Sequence, residues 1–543
     1  MNPFKGKSYG QSLALVAELH AGKEALVWKG RRFSFAEVKT EVDRASARLA
    51  ALGLKPGQHL GIWLPNRLEF LWYWLGAMQA GLVPVVLNTR LRLEEAAYQI
   101  QQSDCRALIV PGDGAFRDFV ADILELCPEL VSGQPGSLGS KRFPALDFVL
   151  ALDPVSRSLS GLTDWSRPAA AELPVPPMAL DPMGPAMIAY SSGTTALPKG
   201  AVLSHVGFRK AYDHGERFGL TASDRLYLCA PLFGILSSIN GVLTFWSRGA
   251  CVVLDEKFEV ERAIGLIEQE RCTAGYFFTT MMDEILSHPS YTPQRLASLR
   301  TGILVSADPV LKRQAMERLG LRELITSYGM TETYSACTRT YGTEPVELRL
   351  RCEGHALPDI EVKVVDPDTG AELPPDAEGE ILVRGYNLML GYYKKPAETA
   401  AAFTADGFFR TGDLGRMSAD GRLSFLRRVK DGYKHKGFNV STPEVERVAA
   451  QHPDIAQIAV VGVPDRRHGE IGVAFVIPRP GAKVDASSVL SFLTPLLASF
   501  KLPAHVFIVD SFPVTGGTEK VQKFKLREIA LDRLAEPGLT QSA

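Results

Sequence analysis

Apolar residues recur at helical spacing near the start of the chain and then alternate with short apolar runs typical of buried strands. Ser34 and Glu37 form an S-x-x-E capping box, which predicts the start of a helix. Apolar residues follow at three- to four-residue spacing as far as Leu52, and Gly53 ends the helix. Residues 59–65 form an apolar run that predicts a strand. This alternation indicates an α/β fold with a largely parallel sheet.

The most apolar stretch, residues 70–87, tests whether the chain crosses a membrane. Its sequence is FLWYWLGAMQAGLVPVVL, in which only Gln79 is strongly polar. That length could begin a membrane span. Gly81 and Pro84, however, divide the stretch into a helical part and a short β-rich part. The pattern therefore favours a buried helix followed by a buried strand, with no transmembrane segment.

The pattern changes twice towards the C terminus. Residues 131–185 are rich in Pro, Gly and Ser and predict loops with short elements, whereas residues 361–428 predict short strands separated by Gly and Asp turns, hence a compact β unit. After Lys430 the sequence predicts a small α+β domain. Its expected elements are a helix near 444–452, strands at 457–463 and 472–478, a helix near 486–499 and a strand at 505–510. We therefore predict two domains, 1–429 and 430–543.

Composition excludes several classes of protein. The 543 residues carry a formal net charge of −1, so nothing favours nucleic acid or an anionic membrane as a partner. The seven cysteines contain no C-x-x-C pair, so we predict neither a zinc site nor a redox pair. An odd, sparse cysteine count fits a reducing compartment, and the first residues lead into no apolar signal core. We therefore expect a cytoplasmic protein.

Residues 188–205, IAYSSGTTALPKGAVLSH, are suited to binding phosphate. The glycine allows a ligand to approach the backbone closely, and the hydroxyl and amide groups are donors for phosphate oxygens. These residues are Ser191, Ser192, Gly193, Thr194 and Thr195. Lys199 adds positive charge. The order of residues is not that of a Walker A loop, which requires G-x-x-x-x-G-K-[ST].

Five segments, this one included, resemble motifs of the acyl-adenylate-forming enzymes, the superfamily of acyl- and aryl-CoA synthetases, peptide-synthetase adenylation domains and luciferases. They occur in the family's order over nearly the whole chain. The segments are YSSGTTALPKG (190–200), SYGMTE (327–332), GFFRTGDLG (407–415), LRRVKDGYKHKGFNVSTPEVE (426–446) and EKVQKFKLRE (519–528). The resemblance is closest to acyl-CoA synthetases. It implies a large N-terminal domain and a small C-terminal domain that moves about a hinge at Lys430.

The resemblance also implies a role for each motif residue. Adenine would stack on Tyr328, Asp413 would accept hydrogen bonds from the ribose hydroxyls, and Arg428 would reach the ribose or phosphate. Glu332 would bind Mg²⁺, which prefers hard oxygen ligands, and Lys520 would bring positive charge to the reacting carboxylate and α-phosphate. Catalytic roles are implied for Thr194, Lys199, Glu332 and Lys520. Further nucleotide contacts are implied for Ser306, Ala307, Ser327, Gly329, Met330 and Thr331.

The reaction implied is the activation of a carboxylic acid. A carboxylate is a poor electrophile because it is already negative, and attack on the α-phosphorus of ATP converts it to an acyl-AMP with release of pyrophosphate. The acyl group then passes to a nucleophile, in this family most often the thiol of coenzyme A. Lys436, Gly437 and Phe438 resemble the CoA-binding segment. The implied cofactors are ATP, Mg²⁺ and coenzyme A.

The chain departs from the family's usual motifs at several places, among them Pro443, which lies one position later than the family's proline. Gly234 stands where a histidine is usual, and Val305 stands where a small residue is usual. Arg427 replaces a glycine in the hinge motif. The segment before Lys520 is one residue longer than usual, with Glu519 in place of glycine, which leaves the placement of Lys520 open.

The residues expected around the acyl group suggest a roomy apolar pocket for a medium-chain, aromatic or bulky polycyclic acid. They are Phe233, Gly234, Tyr276, Phe277, Val305 and Met330. No cation for a second carboxylate is evident from the sequence, although the folded chain could hide one. The leading hypothesis is an acid–CoA ligase. Transfer to an amine or to a carrier-protein thiol, and a non-catalytic nucleotide-binding relative, remain alternatives, and the oligomeric state, with a homodimer among the options, stays open.

Overall fold

The computed structural model describes residues 2–166, 178–191, 198–306, 308–428, 432–435, 438–465, 468–497, 499–514 and 521–535. Its strands, in chain order, are β1 (Glu24–Trp28), β2 (Arg31–Ser34), β3 (His59–Ile62), β4 (Val83–Val86), β5 (Cys105–Val110), β6 (Phe148–Ala151), β7 (Leu162–Asp164), β8 (Pro185–Ser191), β9 (Lys199–Ser204), β10 (Arg225–Leu228), β11 (Cys251–Leu254), β12 (Ala274–Phe278), β13 (Thr301–Val305), β14 (Glu323–Leu324), β15 (Ser327–Tyr328), β16 (Thr338–Arg339), β17 (His355–Ala356), β18 (Ile360–Val365), β19 (Gly379–Gly385), β20 (Gly391–Tyr392), β21 (Phe409–Met417), β22 (Leu423–Arg428), β23 (Gly432–His435), β24 (Phe438–Ser441), β25 (Ile455–Asp465), β26 (Gly469–Pro478) and β27 (His505–Ile508).

The α-helices, in chain order, are α1 (Tyr9–His20), α2 (Phe35–Ala51), α3 (Leu68–Gln79), α4 (Leu93–Gln102), α5 (Phe119–Leu126), α6 (Gly207–Arg217), α7 (Ile235–Ser237), α8 (Thr244–Trp246), α9 (Val260–Gln269), α10 (Thr279–Ser287), α11 (Pro309–Glu317), α12 (Val346–Arg351), α13 (Pro396–Ala402), α14 (Thr442–Ala449), α15 (Ala486–Leu493) and α16 (Lys523–Ala535). A π-helical stretch, Ser238–Leu243, joins α7 to α8. Short 3₁₀ turns lie at Pro128–Val131, Thr331–Thr333 and Ser499–Lys501.

Two large sheets organise the N-terminal part of the chain. One has the strand order β14-β13-β12-β10-β11-β1-β2, and the other has the order β20-β9-β8-β4-β3-β5-β6-β7. Most neighbours in both sheets are parallel, while β1/β2, β8/β9 and β9/β20 are antiparallel. Helices pack on the sheets and bury their apolar residues, as parallel sheets require. The prediction of a mainly parallel α/β fold is confirmed.

The smaller units also follow the sequence pattern. The β unit near 361–428 is an antiparallel sheet of order β18-β19-β21-β22. In the C-terminal part, β23 to β27 form one sheet in which β26 pairs with β23, β25 and β27. The helix α15 ends earlier than predicted, and the hairpin β23–β24 and the helix α16 were not predicted.

The two N-terminal elements predicted from patterning form as expected. The capping box at the start of α2 is present, because Ser34 accepts from the backbone of Glu37 and the Glu37 carboxylate accepts from the backbone of Ser34. In the apolar stretch, α3 is buried along nearly its whole length and packs on α2, and β4 follows it. The single polar residue, Gln79, donates to Asp43 at 2.6 Å. No helix within the described ranges is long and apolar enough to cross a membrane.

Candidate active site

The predicted phosphate-binding segment lies between two antiparallel strands. Ser191 at the end of β8 pairs with Lys199 at the start of β9, so both ends of the segment meet at one edge of the sheet. Residues 192–197, which include the predicted Ser192, Gly193, Thr194 and Thr195, lie outside the described residues. A strand–segment–strand connection differs from the strand–helix connection of a Walker A loop.

The segment that carries Glu332 folds back tightly on itself. A side chain on Gly329 would place its Cβ 2.4 Å from the Cα of Ala336, so only glycine fits there. Tyr334 and Ser335 adopt left-handed conformations, with φ of 57° and 70°. This backbone forms the 3₁₀ turn around Glu332, and β8 and β9 contact that turn.

Tyr328 and Asp413 join the second and third motifs. The Tyr328 hydroxyl donates to Oδ2 of Asp413 at 2.7 Å, and both side chains are buried. Burial, together with the Asp413 charge, raises the pKa of Tyr328, so its hydroxyl stays protonated as a donor. Arg428 is the cross-strand neighbour of Asp413, with Nε 3.6 Å from Oδ1. Phe425 stacks on the Tyr328 ring at 5.7 Å between centroids, so a purine predicted to stack on Tyr328 must use the other face.

Glu332 and Lys199 meet through Tyr392, a residue that sequence reasoning missed. The Tyr392 hydroxyl donates to Oε1 of Glu332 at 2.9 Å, and Lys199 Nζ lies 4.8 Å from the centre of the Tyr392 ring. Glu332 is only 7% exposed. Burial and the Glu332 charge raise the pKa of Tyr392, which keeps the hydroxyl a donor. Tyr392 occupies β20, which pairs with β9, and this pairing fixes its position beside Lys199.

These side chains fit a magnesium nucleotide. The Tyr392 hydroxyl occupies one oxygen of Glu332 and leaves the other able to bind a hard cation. Within the described ranges, no three His, Cys, Asp or Glu side chains come together as metal ligands. One protein carboxylate combined with substrate phosphates is the usual arrangement for Mg²⁺. The buried Asp413 carboxylate is suited to accepting hydrogen bonds from ribose hydroxyls.

The other predicted nucleotide contacts flank this centre. Ser327 and Met330 are half-buried beside Tyr328, and Thr331 starts the turn that holds Glu332. Ser306 directly follows β13, and its hydroxyl accepts from the backbone of Asp308 at 3.1 Å. Ala307 lies outside the described residues.

The predicted acyl-pocket residues do not all face one space. Tyr276 and Phe277 are neighbours on β12, so their side chains point to opposite faces of the sheet. Tyr276 joins the core cluster against which Phe233 and Met330 pack, whereas Phe277 joins another core cluster and stacks on Tyr227. A pocket lined by Tyr276 therefore excludes Phe277.

Gly234 has one close backbone neighbour, whereas Val305 is exposed. A Cβ placed on Gly234 would contact only the Pro231 carbonyl oxygen, at 3.3 Å. Val305 ends β13 and is 42% exposed. The wider pocket expected from the glycine at position 234 stays a prediction.

Several C-terminal predictions lie outside the described residues, namely Lys430, Lys436, Gly437 and Lys520. Phe438 begins β24. Val514 and Val521 form an antiparallel bridge, which brackets the segment containing the extra residue before Lys520. The nearby Lys523 is bound to Glu446 at 2.7 Å and to the Thr442 hydroxyl at 3.1 Å.

The unusual Arg427 of the hinge motif has a structural partner. It is buried and donates to Glu378 at 3.1 Å. A side chain on Gly432 would meet its guanidinium at 2.7 Å.

The expected features of an adenylate-forming enzyme are present: mainly parallel sheets, antiparallel strands on either side of a Ser/Thr/Gly segment, a buried Tyr328–Asp413 pair and a partly buried Tyr392–Glu332 pair. The chain belongs to the AMP-binding enzyme family. Residues 13–393 match the model of the AMP-binding enzyme, and residues 444–517 match that of the AMP-binding enzyme C-terminal domain. The family and its named relatives support an AMP-forming acid–CoA ligase, and they imply the use of ATP, Mg²⁺ and coenzyme A.

Similar proteins extend over nearly the whole chain. The chain is 31% identical to the putative acyl-CoA synthetase YngI of Bacillus subtilis, over 96% of this chain and 97% of that protein. It is 31% identical to the mitochondrial medium-chain acyl-CoA ligase ACSF2 of Bos taurus, over 96% and 87%. The ATP-bound structure of MatB from Rhodopseudomonas palustris is similar, with a TM-score of 0.83, 28% identity and coverage of 97% and 99%. The amide bond synthetase McbA of Marinactinospora thermotolerans is also similar, with a TM-score of 0.78, 28% identity and coverage of 96% and 99%.

Proposed function

We propose that this enzyme activates a medium-chain, aromatic or bulky polycyclic carboxylic acid as its acyl-AMP and passes the acyl group to the thiol of coenzyme A. Two contacts between separate motifs support the proposal: Tyr392 bonds Glu332 and lies beside Lys199, and Tyr328 bonds Asp413. These groups come from separate motifs, and together they provide a cation, a metal-binding carboxylate and a ribose-binding carboxylate.

The side chains of the site divide the work of the first step. Asp413 holds the ribose through an oxygen that its bond to Tyr328 keeps oriented, and Arg428 lies beside the other oxygen. Lys199 offsets charge on the leaving phosphates, and Lys520 offsets charge between the attacking carboxylate and the α-phosphate. Mg²⁺ held by Glu332 would neutralise phosphate oxygens. Catalysis of this kind consists of positioning and charge stabilisation rather than covalent chemistry by the protein.

The choice of acid rests on the space around Gly234. Tyr276 belongs to the core cluster against which Phe233 and Met330 pack, and a glycine at 234 would occupy less of an adjoining pocket than the usual histidine. The bovine relative is named a medium-chain acyl-CoA ligase, which agrees with an acid of this size.

A second acceptor is supported by one comparison. The amide bond synthetase McbA has a similar structure over 96% of this chain, so an amine acceptor fits the same fold. A carrier-protein thiol remains the other alternative. We favour coenzyme A because the similar full-length relatives are named acyl-CoA synthetase or ligase.

Two finer predictions belong to this proposal. We infer a cytoplasmic location, because the seven cysteines are all free and buried, as a reducing compartment allows. We also retain the domain boundary at 429/430, with a hinge at Lys430. A homodimer remains an option for sedimentation measurements.

A competition between acceptors tests the proposal. The enzyme is supplied with ATP, Mg²⁺ and an acid that supports pyrophosphate release, together with equal amounts of coenzyme A, a panel of amines and a phosphopantetheinyl carrier protein. Mass spectrometry then identifies the product. We expect the acyl-CoA thioester to dominate. An amide or an acyl-carrier product in its place would contradict coenzyme A as the acceptor while retaining adenylation.

A further inference from the structure

The helix α6 buries a basic face, which is unusual in a folded protein. Lys210 and His214 lie one helical turn apart and are both 0% exposed. Arg339 on β16 is also 0% exposed and approaches the same region. Lysine and arginine are almost never fully buried unless they are paired. We call these three residues the buried basic cluster.

The cluster has few partners, and those it has are neutral. Lys210 Nζ donates to Oδ1 of Asn240 at 3.1 Å and to the backbone carbonyl of Tyr334. The guanidinium nitrogens of Arg339 and both ring nitrogens of His214 have no partner among the described residues at good hydrogen-bond geometry. The Tyr276 hydroxyl lies close to Arg339, and the Asn240 side chain lies close to His214. The guanidinium carbon of Arg339 lies 4.9 Å from the centre of the Phe218 ring.

No carboxylate of the described residues is bound to the cluster. Its burial lowers the pKa of Lys210 and His214 well below their usual values and that of Arg339 to about 10. Donors buried without acceptors are costly to a fold, and a buried cation without a partner is costlier still. The cluster is therefore a set of donors suited to an anion that the described chain does not supply.

The cluster adjoins the proposed acyl pocket through two residues. The Tyr276 hydroxyl donates to the Asn240 carbonyl at 2.6 Å, so Tyr276 connects the pocket surface to the residue that binds Lys210. Asn240 lies in the π-helical stretch that continues from Gly234, and such stretches are frequent at functional sites.

We propose that the acid carries a second carboxylate at its far end and that the buried basic cluster binds it. This inference rests on the proposed function and narrows its substrate class to medium-length or aromatic dicarboxylic acids. The reacting carboxylate would lie near Gly234, and the distal one would receive hydrogen bonds from Lys210 and Arg339. A site whose buried donors require an acceptor rejects an analogue that lacks it, by roughly 10⁴–10⁵-fold in strong cases.

The wild-type enzyme alone provides the first test. Suberate, its monomethyl ester and octanoate have similar length but differ in the charge at the far end. Initial rates of pyrophosphate release give kcat/KM for each acid. We expect suberate to exceed both analogues by at least about 100-fold, which is well below the roughly 10⁴–10⁵-fold of the strongest cases. Equal or greater kcat/KM for the ester or for octanoate would overturn the inference.

Variants test whether the cluster is responsible. Arg339→Met should lower kcat/KM for suberate by about 100-fold, as the loss of a charged hydrogen-bonded pair does, and leave that for octanoate unchanged or higher. Arg248→Met is the control, because Arg248, like Arg339, lies over an aromatic ring, but it is half-buried and bonded to a backbone carbonyl. Equal losses for both acids in Arg339→Met would show a structural role only. If Arg339→Met does not fold, Arg339→Lys takes its place, and the wild-type comparison of suberate, its monomethyl ester and octanoate still tests the inference.

The outcomes separate this inference from the proposed function. If no acid of the panel releases pyrophosphate, the proposed function fails and the inference fails with it. If monocarboxylic acids are used as well as their dicarboxylic counterparts, the inference alone fails, and water or an inorganic anion occupies the buried basic cluster.

Discussion

Replacing Tyr392 with phenylalanine removes one hydroxyl from the centre of the candidate active site and leaves the aromatic ring in place. The hydroxyl bonds Oε1 of Glu332 at 2.9 Å, and the ring lies 4.8 Å from Lys199 Nζ. Phenylalanine therefore deletes the hydrogen bond that orients the metal-binding carboxylate but keeps the cation–ring contact. Leucine at the same position deletes both.

The structure sets the size of the expected effect. A hydrogen bond to a charged group contributes roughly 1.5–3 kcal/mol, and each 1.4 kcal/mol corresponds to a tenfold change in an equilibrium or rate. Tyr392→Phe should therefore lower the apparent affinity for Mg²⁺, or kcat/KM for MgATP, by about 10- to 100-fold. Tyr392→Leu should add a further loss of roughly 0.5–2 kcal/mol from the Lys199 contact.

The assay is acid-dependent pyrophosphate release while Mg²⁺ is titrated at fixed ATP and acid. Tyr393→Phe is the control, because its hydroxyl bonds Asp104 at 2.9 Å, away from Glu332. We expect the Tyr393 variant to titrate like the wild type and the Tyr392 variant to need more Mg²⁺. Identical Mg²⁺ titrations for wild type and Tyr392→Phe, or an equal loss in Tyr393→Phe, would refute the positioning role.

The remaining predictions concern acid size, the C-terminal domain and acid stability. Gly234→Phe should penalise bulky acids more than short ones, by roughly 1–3 kcal/mol, and equal losses in kcat/KM would show that position 234 does not line the pocket. Lys520→Ala should slow acyl-AMP formation by about 10²–10³-fold yet still convert supplied acyl-AMP and CoA to thioester. Lys523→Ala loses only contacts to Glu446 and Thr442 and should not slow adenylation. If Lys523→Ala slows adenylation and Lys520→Ala does not, the catalytic lysine is Lys523. Lys430→Pro should leave adenylation near normal and stall thioester formation, which rapid-quench analysis of both steps can check. Burial lowers the pKa of His205 to about 4, whereas a histidine in the unfolded chain titrates near 6.5. The unfolded state therefore binds a proton at His205 first, and the free energy of unfolding should fall as the pH drops from about 6.5 towards 4. Urea midpoints of His205→Asn that depend less on pH than those of the wild type would support this, and an unchanged dependence would contradict it.

Local patterns predicted the elements that depend on local physics. The capping box of Ser34 and Glu37 needs only residues three apart, and it formed as expected. The apolar stretch that ends near Gln79 forms a buried helix. Its one polar side chain can be buried because the Gln79 amide donates a hydrogen bond to Asp43. Tyr328 and Glu332 come from one short segment, and a hydrogen bond joins Tyr328 to Asp413 in the next motif.

Long-range contacts were the part that sequence reasoning missed. Tyr392 bonds Glu332 because β20 pairs with β9. The residues around Tyr392 contain no sequence pattern that predicts this pairing. Phe277 was grouped with Tyr276 although the alternation of side chains along a strand could have separated them. The buried basic cluster was hidden for a related reason, since Lys210 and His214 look like an ordinary solvated helix face until the fold buries them.

The measurement that tests the central claim most directly is a rapid-quench experiment on the wild-type enzyme without any acyl acceptor. Enzyme, ATP and Mg²⁺ are mixed with each acid of a panel that spans chain length, aromatic rings and distal carboxylates, and acyl-AMP and pyrophosphate are quantified. The account predicts a burst of acyl-AMP matched by pyrophosphate, dependent on both acid and Mg²⁺ and lost in Glu332→Gln. A folded enzyme that binds ATP but forms no acyl-AMP with any acid would contradict it.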